Sequence, residues 1–275
     1  MNYTELCKLL TEAVDKLGKR IYDVREARAV ARVFLEDLYG FSAADMYGGR
    51  EAEGCEENVE RLVEGEPVRD GGGKALFADR YLTVRKGVLI PRPETEELCG
   101  WVAEETKENT EVLDIGTGSG CIAITLALDT KARVTAWDIA DEALETAREN
   151  SRELKAAVRV ERQDMLQPPT DGRQWDIIVS NPPYICEKEK AEMEANALDY
   201  EPHIALFVPD EDPLRFYRAI ARYASTSLRK GGFLFFEINS GCAREMERML
   251  VAEGFTEVET RTDQFGRERM VKAKK

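Results

Sequence analysis

Residues 111–138 read EVLDIGTGSGCIAITLALDTKARVTAWD. An apolar run from Val112 to Ile115 breaks at a glycine-rich turn, a helical pattern begins at Ser119, and a second apolar run ends on Asp138. Strand, tight turn, helix and strand in that order predict a parallel α/β unit. Gly116, Gly118 and Gly120 let the chain turn sharply and let a ligand approach the backbone without meeting a Cβ. The spacing G-x-G-x-G is not the dinucleotide fingerprint G-x-G-x-x-G, and no Lys-Ser/Thr follows as in a P-loop. Taken alone, the turn reads equally well as a plain tight turn or as a ligand loop.

Towards the carboxyl end the alternation continues. It runs through a helix from Asp141, the strands VRVERQD (158–164) and WDIIVSN (175–181), a helix from Pro213 to Arg229, the strand GFLFFEI (232–238), a helix from Ala243 to Glu253 and two terminal strands. Repeated strand-helix units predict a parallel, doubly wound sheet with ligands at the carboxyl ends of its strands. Asp138 ends the second strand, where a carboxylate meets the hydroxyls of a bound ribose, and Asp164 ends the third, where it can accept from an adenine amino group. For each aspartate the other reading is a helix cap or a solvent-facing loop residue. The fourth strand stops at Asn181-Pro182-Pro183-Tyr184; the two prolines end it and stiffen the turn. The side-chain oxygen of Asn181 and the carbonyl of Pro182 are two acceptors for one NH2 group. Tyr184 can stack on a flat group and offer its ring face to a positive charge.

Upstream, Leu6, Leu9, Leu10, Ala13, Val14 and Leu17 recur at helical spacing, as do Ala27, Val30, Ala31, Phe34, Leu35 and Leu38 before Gly40. Ser42 caps a short third helix, and Val59, Leu62 and Val63 mark a fourth, giving a helical bundle over residues 1–67. Residues 68–90, with three glycines in a row and short β-type alternation, read as a linker carrying a β-hairpin, and residues 91–275 as the larger domain. Two domains suit 275 residues, against roughly 150 for one.

No apolar run approaches the ~20 residues of a membrane span, and the acids among the first residues differ from a basic leader, so a cytoplasmic protein is expected. Six cysteines without a C-x-x-C pair read as free thiols, and His203, the single histidine, leaves histidine-built metal sites and triads without support. A net charge of -14 argues against gripping a nucleic-acid backbone. The block EAEGCEENVE (51–60) reads as a solvated face. Arg261, Arg267, Arg269, Lys272, Lys274 and Lys275 form the one basic stretch, which reads as a solvated edge strand.

In their order, the glycine turn, Asp138, Asp164 and NPPY resemble Rossmann-like, class I S-adenosylmethionine-dependent methyltransferases. A sulfonium without phosphates suits a turn that contains Asp114 and no basic residue. NPPY is similar to the Asp/Asn-Pro-Pro-Tyr box of enzymes that methylate nitrogens conjugated to a planar system. VLIPRPETEEL (88–98), YEPHIALFVPDEDPLRFYRAI (200–220) and DQFGRERMV (263–271) resemble the HemK/PrmC-type family, which methylates the glutamine amide in the Gly-Gly-Gln motif of peptide chain release factors. The resemblance implies that Asn181, Pro182, Pro183 and Tyr184 hold the glutamine. It implies that Gly116, Thr117, Gly118, Ser119, Gly120, Asp138, Asp164, Met165 and Asn181 hold S-adenosylmethionine, and that Arg92 to Thr95 line the site. It further implies a class I release factor as protein partner and a monomer with neither metal, nucleic acid nor membrane. On the residues alone, PRPETE also reads as a proline-stiffened helix start. A methyltransferase acting on adenine or guanine amino groups would use Asn181 and Tyr184 identically, but needs basic surface. The linker departs from the family: a Gln-Tyr-Ile-type segment is usual where this chain reads PVRDGGGKALF, which puts the hairpin's contacts in doubt.

Overall fold

The computed structural model describes residues 1–14, 20–63, 73–192 and 203–275. Helix α1 (Tyr3–Glu12) starts on a capping box in which the Asn2 side chain accepts from Glu5 N and the Glu5 carboxylate accepts from Asn2 N. It ends at Glu12, short of the periodicity that continues to Leu17: Ala13 is extended, Val14 bridges to Arg20, and Leu17 lies outside the described residues. Helices α2 (Val24–Tyr39), α3 (Ala43–Gly48) and α4 (Glu56–Val63) follow, with Ser42 and Asp45 forming the expected cap of α3. Leu6, Leu10, Phe34, Leu35, Val59 and Leu62 close one core, while Glu51, Glu53, Glu56, Glu57 and Glu60 face outward.

Strands β1 (Lys74–Phe77) and β2 (Arg80–Thr83) form the predicted hairpin, turning through Ala78 and Asp79 at φ 45° and 59°. Phe77 and Leu82 are buried among Leu98, Ile122 and other residues of the larger domain, so this part of the linker is packed onto that domain. Residues 64–72, with two of the three linker glycines, lie outside the described residues.

The larger domain continues with α5 (Pro93–Glu105), β3 (Glu111–Ile115), α6 (Cys121–Thr130), β4 (Arg133–Asp138), α7 (Asp141–Glu153), β5 (Val158–Arg162) and β6 (Trp175–Ser180). Then come β7 (Ile185–Cys186), α8 (His203–Leu206), β8 (Phe207–Val208), α9 (Arg215–Ser227), β9 (Leu228–Glu237), α10 (Ala243–Ala252), β10 (Thr256–Thr262) and β11 (Glu268–Lys274). The seven-stranded sheet has the order β10-β11-β9-β6-β3-β4-β5. Five strands are parallel, as predicted, but β11 runs antiparallel to β9 and β10 antiparallel to β11. The chain winds outward from β3 through β4 to β5 and then returns to β6 on the other flank of β3. Such a reversal leaves a crevice above the carboxyl ends of β3 and β6.

Core covers both faces of the sheet. Phe235 packs with Trp101, Ile122 and Ile124 on one face, and its neighbour Phe236 with Trp137, Tyr217 and Ile220 on the other. Burial on both sides is why FLFF lacks polar alternation.

The basic tail needs correction. The edge strand is β10; β11 lies between it and β9, because the terminal hairpin inserts its second strand into the sheet. Four of its six cations are paired with acids: Arg261 with Glu104, where it also stacks 4.2 Å over Trp101, Arg269 with Asp263, Lys272 with Glu105 and Glu259, and Lys274 with Glu257.

Candidate active site

A cavity of about 250 Å³ opens at the carboxyl ends of β3, β4 and β6. A water occupies about 30 Å³ of liquid, so this is a ligand-sized space and not a packing void. Of the residues singled out from sequence, Gly116, Thr117, Gly118, Ser119, Asp138, Asp164, Met165, Asn181, Pro182 and Pro183 line it, together with Arg92 and Thr95. Gly120 and Tyr184 do not line it, and Gly87 to Pro91, which no sequence argument assigned to the site, do.

The glycine turn is held by the strand beside it. Gly116 N and Thr117 N both donate to Trp137 O, and Gly118 N donates to Asp138 Oδ2 at 2.9 Å. Asp138 Oδ1 accepts from Ile139 N and Ala140 N at the start of α7. The two sequence readings of Asp138 therefore combine: it ties the backbone together and also faces the cavity. A carboxylate has about four lone-pair positions, and three backbone donors leave one for a ligand hydroxyl. Asp164 likewise accepts from Leu166 N and Gln167 Nε2 while lining the cavity.

The three glycines have different roles. Gly116 has φ 72°, and a Cβ there would meet no protein atom within 4 Å. Gly120 has φ 84° and caps α6; its Cβ would press to 3.1 Å from Ile124 Cδ1 and 3.3 Å from the Ala147 Cα. Gly120 thus serves the close approach of α6 to α7.

Beneath the turn, Asp114 is fully buried and accepts from Thr117 Oγ1 at 2.6 Å. The Ala123 backbone also supports its carboxylate, and the buried Ser119 hydroxyl faces the Cys121 thiol. Burial raises the Asp114 carboxyl to about 7, against the opposing hydrogen bond from Thr117. Burial, with Asp114 adding to it, pushes the Cys121 thiol up to about 12 and keeps it protonated.

The turn after β6 is anchored from below and from the side. Ser180 Oγ donates to Ile115 O at 2.7 Å, locking β6 to β3, and Asn181 Nδ2 donates to Thr95 Oγ1 at 3.2 Å. Thr95 Oγ1 in turn donates to Glu237 Oε2 at 2.7 Å, and Tyr184 OH donates to Glu237 Oε1 at 3.2 Å. Glu237 is only 1% exposed, and burial raises its carboxyl above the ordinary range. Burial, followed by the nearby Glu237 charge, raises the Tyr184 phenol and holds its proton on. Sequence reasoning missed Glu237, although one signal was present: an acid closes the otherwise apolar strand FLFFE, at the same end as Asp138 on β4. Among the described residues, no group of three His, Cys, Asp or Glu side chains is placed to hold a metal ion.

Comparison with known proteins places this geometry in a family. A family model described as "Methyltransferase small domain" matches residues 99–199. The release factor glutamine methyltransferase of Bacteroides thetaiotaomicron is 46% identical over 262 residues, 92% of this chain and 94% of its own. That of Flavobacterium psychrophilum is 36% identical over 95% of this chain and 96% of its own. Among solved structures, a T. thermophilus 16S rRNA methyltransferase in complex with AdoMet and guanosine superposes with a TM-score of 0.55 at 19% identity, covering 74% of this chain and 49% of that one. It shares the Rossmann-like methyltransferase fold. With nearly full-length identity to curated relatives, the chain belongs to the release factor glutamine methyltransferase family.

Proposed function

We propose that the protein transfers a methyl group from S-adenosylmethionine to the side-chain amide nitrogen of the glutamine in the Gly-Gly-Gln motif of class I peptide chain release factors. The observation that carries this reading is the orientation of Asn181. One N–H of its NH2 donates to Thr95 Oγ1, which turns its Oδ1 away from Thr95 and leaves it to accept from an incoming NH2 group beside the cavity.

The residues fit the cofactor. Gly116 leaves open space where a side chain would stand, and the buried Ser119 lies on the lining beside it. Asp138 keeps a lone pair for a ribose hydroxyl, with Asp164 and Met165 beside it. Arg92 is the only basic side chain among the lining residues, which suits a sulfonium nucleoside better than a nucleotide phosphate. When bound, the cofactor supplies an electrophilic methyl group on a positively charged sulfur.

The chain's own part is positioning. Asn181 Oδ1 and the carbonyl oxygen of Pro182 take the two hydrogens of the glutamine amide and fix its nitrogen. Pro182 and Pro183 keep those acceptors rigid, and such fixing contributes on the order of several kcal/mol to the barrier. Tyr184 supports the turn from the side through Glu237. The amide sheds its proton once the new bond forms, so no side chain need take it first.

We assign residues 1–67 to docking of the protein substrate, 68–90 to a linker with its hairpin, and 91–275 to catalysis. The site is complete within one copy, which supports action as a monomer. All six thiols are unpaired, the state a reducing cytoplasm maintains, and no described helix is long and apolar enough to cross a membrane.

The test is incubation with methyl-labelled S-adenosylmethionine and either a release factor or nucleic acid, with the label located by peptide mass spectrometry. Label on the Gly-Gly-Gln glutamine is expected. Label on nucleic acid with none on that peptide would overturn the proposal.

A further inference from the structure

We propose that Glu237 is a positioning residue for methyl transfer: through the single hydroxyl proton of Thr95 it dictates which way round the Asn181 amide stands. The inference rests on the functional reading above and adds to it a residue outside the NPPY turn.

A threonine hydroxyl has one proton to donate and two lone pairs with which to accept. Thr95 Oγ1 lies 2.7 Å from Glu237 Oε2, and an ionised carboxylate can only accept. The Thr95 proton is therefore committed to Glu237. Towards Asn181, 3.2 Å away, Thr95 Oγ1 has only lone pairs left, and the Asn181 group that can meet a lone pair is its NH2. Asn181 must then turn Oδ1 the other way, to the face where an acceptor amide arrives. The opposite amide orientation would place two acceptors against each other and present an NH2 group to the NH2 of the substrate. Glu237 Oε1 acts in the same sense on the other side of the turn, accepting from Tyr184 OH.

The surroundings hold Glu237 in place, while burial works against its charge and the hydroxyls of Thr95 and Tyr184, with Arg269, support it. Its backbone carbonyl accepts from Tyr217 OH at 3.0 Å, and its carboxyl is buried. Arg269 favours the ionised form and Glu94 opposes it; Tyr184, Tyr217, Cys99 and Cys121 are the other titratable groups that feel its charge. A protonated Glu237 can donate to Thr95, and the chain of donors then reverses. Glu237 binds its proton at a higher pH than an ordinary glutamate because it is buried. Protonation of Glu237 should thus contribute a loss of transfer on the acid side, beside whatever Asp114, raised by burial under the glycine turn, contributes there.

The experiment uses the full-length protein and a Gly-Gly-Gln peptide, comparing wild type with Thr95→Ser, Thr95→Val and Glu237→Gln. Thr95→Ser keeps the hydroxyl and should retain kcat within about two-fold. Thr95→Val keeps the shape and removes the hydroxyl; its kcat should fall by about 10- to 10²-fold. Glu237→Gln can donate as well as accept, so it should fall comparably. In both impaired variants the melting temperature and the affinity for S-adenosylhomocysteine, measured by calorimetry, should stay near wild type. The acid limb of the wild-type pH profile should shrink in Thr95→Val and stay as in wild type in Thr95→Ser. A folded Thr95→Val protein that transfers methyl at the wild-type rate, or whose acid limb is as deep as that of wild type, would overturn the inference alone. A wild-type protein that leaves the peptide unlabelled would overturn the functional reading and this inference together.

Discussion

In the proposed reaction Asn181 touches the acceptor, so its removal should separate transfer from cofactor binding. Asn181→Ala is expected to lose kcat by on the order of 10²-fold while S-adenosylmethionine affinity, measured by calorimetry, changes little. Parallel loss of both would give Asn181 a different role. Asp114 makes a prediction of another kind. Its carboxyl ionises near 3.8 in the unfolded chain and about 7 when folded. As pH rises between those values the unfolded chain sheds a proton that the folded protein retains, so stability falls, by on the order of 4 kcal/mol at most. Above about 7 the deficit is constant. The stability of Asp114→Asn relative to wild type should therefore rise from pH 4.5 to pH 8 in urea titrations; an unchanged gap would show that Asp114 does not ionise in this window. Asp138 and Asn181 were legible from sequence because a polar residue ending an apolar strand marks a ligand-facing position. Glu237 obeyed the same rule and was still missed, because its meaning comes from Thr95, 142 residues away in the chain.

The glycine turn and helix α7 show how far element-scale reading reaches. Gly116 and Gly120 look equivalent in sequence, yet one faces open space and the other a packed helix. Gly116→Ala carries backbone strain at φ 72° but meets no protein atom, so beyond that modest loss of stability it should weaken cofactor binding. Gly120→Ala should mainly lower the melting temperature, since backbone strain of about 1–2 kcal/mol is joined by overpacking of about 1–3 kcal/mol against Ala147. Calorimetry and thermal melts on both variants test the contrast. Asn150, in the middle of α7, was read only as part of a helix. It accepts from Thr83 N at 2.7 Å and donates to Thr83 O and Ser119 O at 2.8 and 2.9 Å. Asn150→Ala should cost about 2–5 kcal/mol in a denaturation curve, because buried backbone groups lose their partners. Strand order at the terminal hairpin was equally hidden, as hydrophobic pattern reports which faces are buried and not which strand sits at the rim.

At the scale of the molecule, the bundle has a core of its own, whereas Phe77 and Leu82 bring the hairpin into the core of the larger domain. A fragment of residues 73–275 is therefore expected to fold, bind cofactor and methylate a short Gly-Gly-Gln peptide near the wild-type rate, but to lose activity on the intact release factor. Equal losses on peptide and protein would remove the docking role from residues 1–67. The alternation of strands and helices made the sheet domain legible, while the boundary read between residues 67 and 68 lies outside the described residues. The pairing of the basic tail was not legible, because Glu104 and Glu105, which pair with Arg261 and Lys272, are far away in the chain and reach them only across the finished sheet.

The clasp at Asn150 has one more consequence. Every bond it makes to the hairpin is read from the main chain of Thr83, and none from a hairpin side chain. The anchorage is indifferent to most of the letters written between the bundle and the sheet. That is a physical reason why this chain can spell its linker PVRDGGGKALF and still hold the hairpin against the ligand turn. The freedom belongs to the hairpin's outward positions, since Phe77 and Leu82 remain fixed by the core they fill.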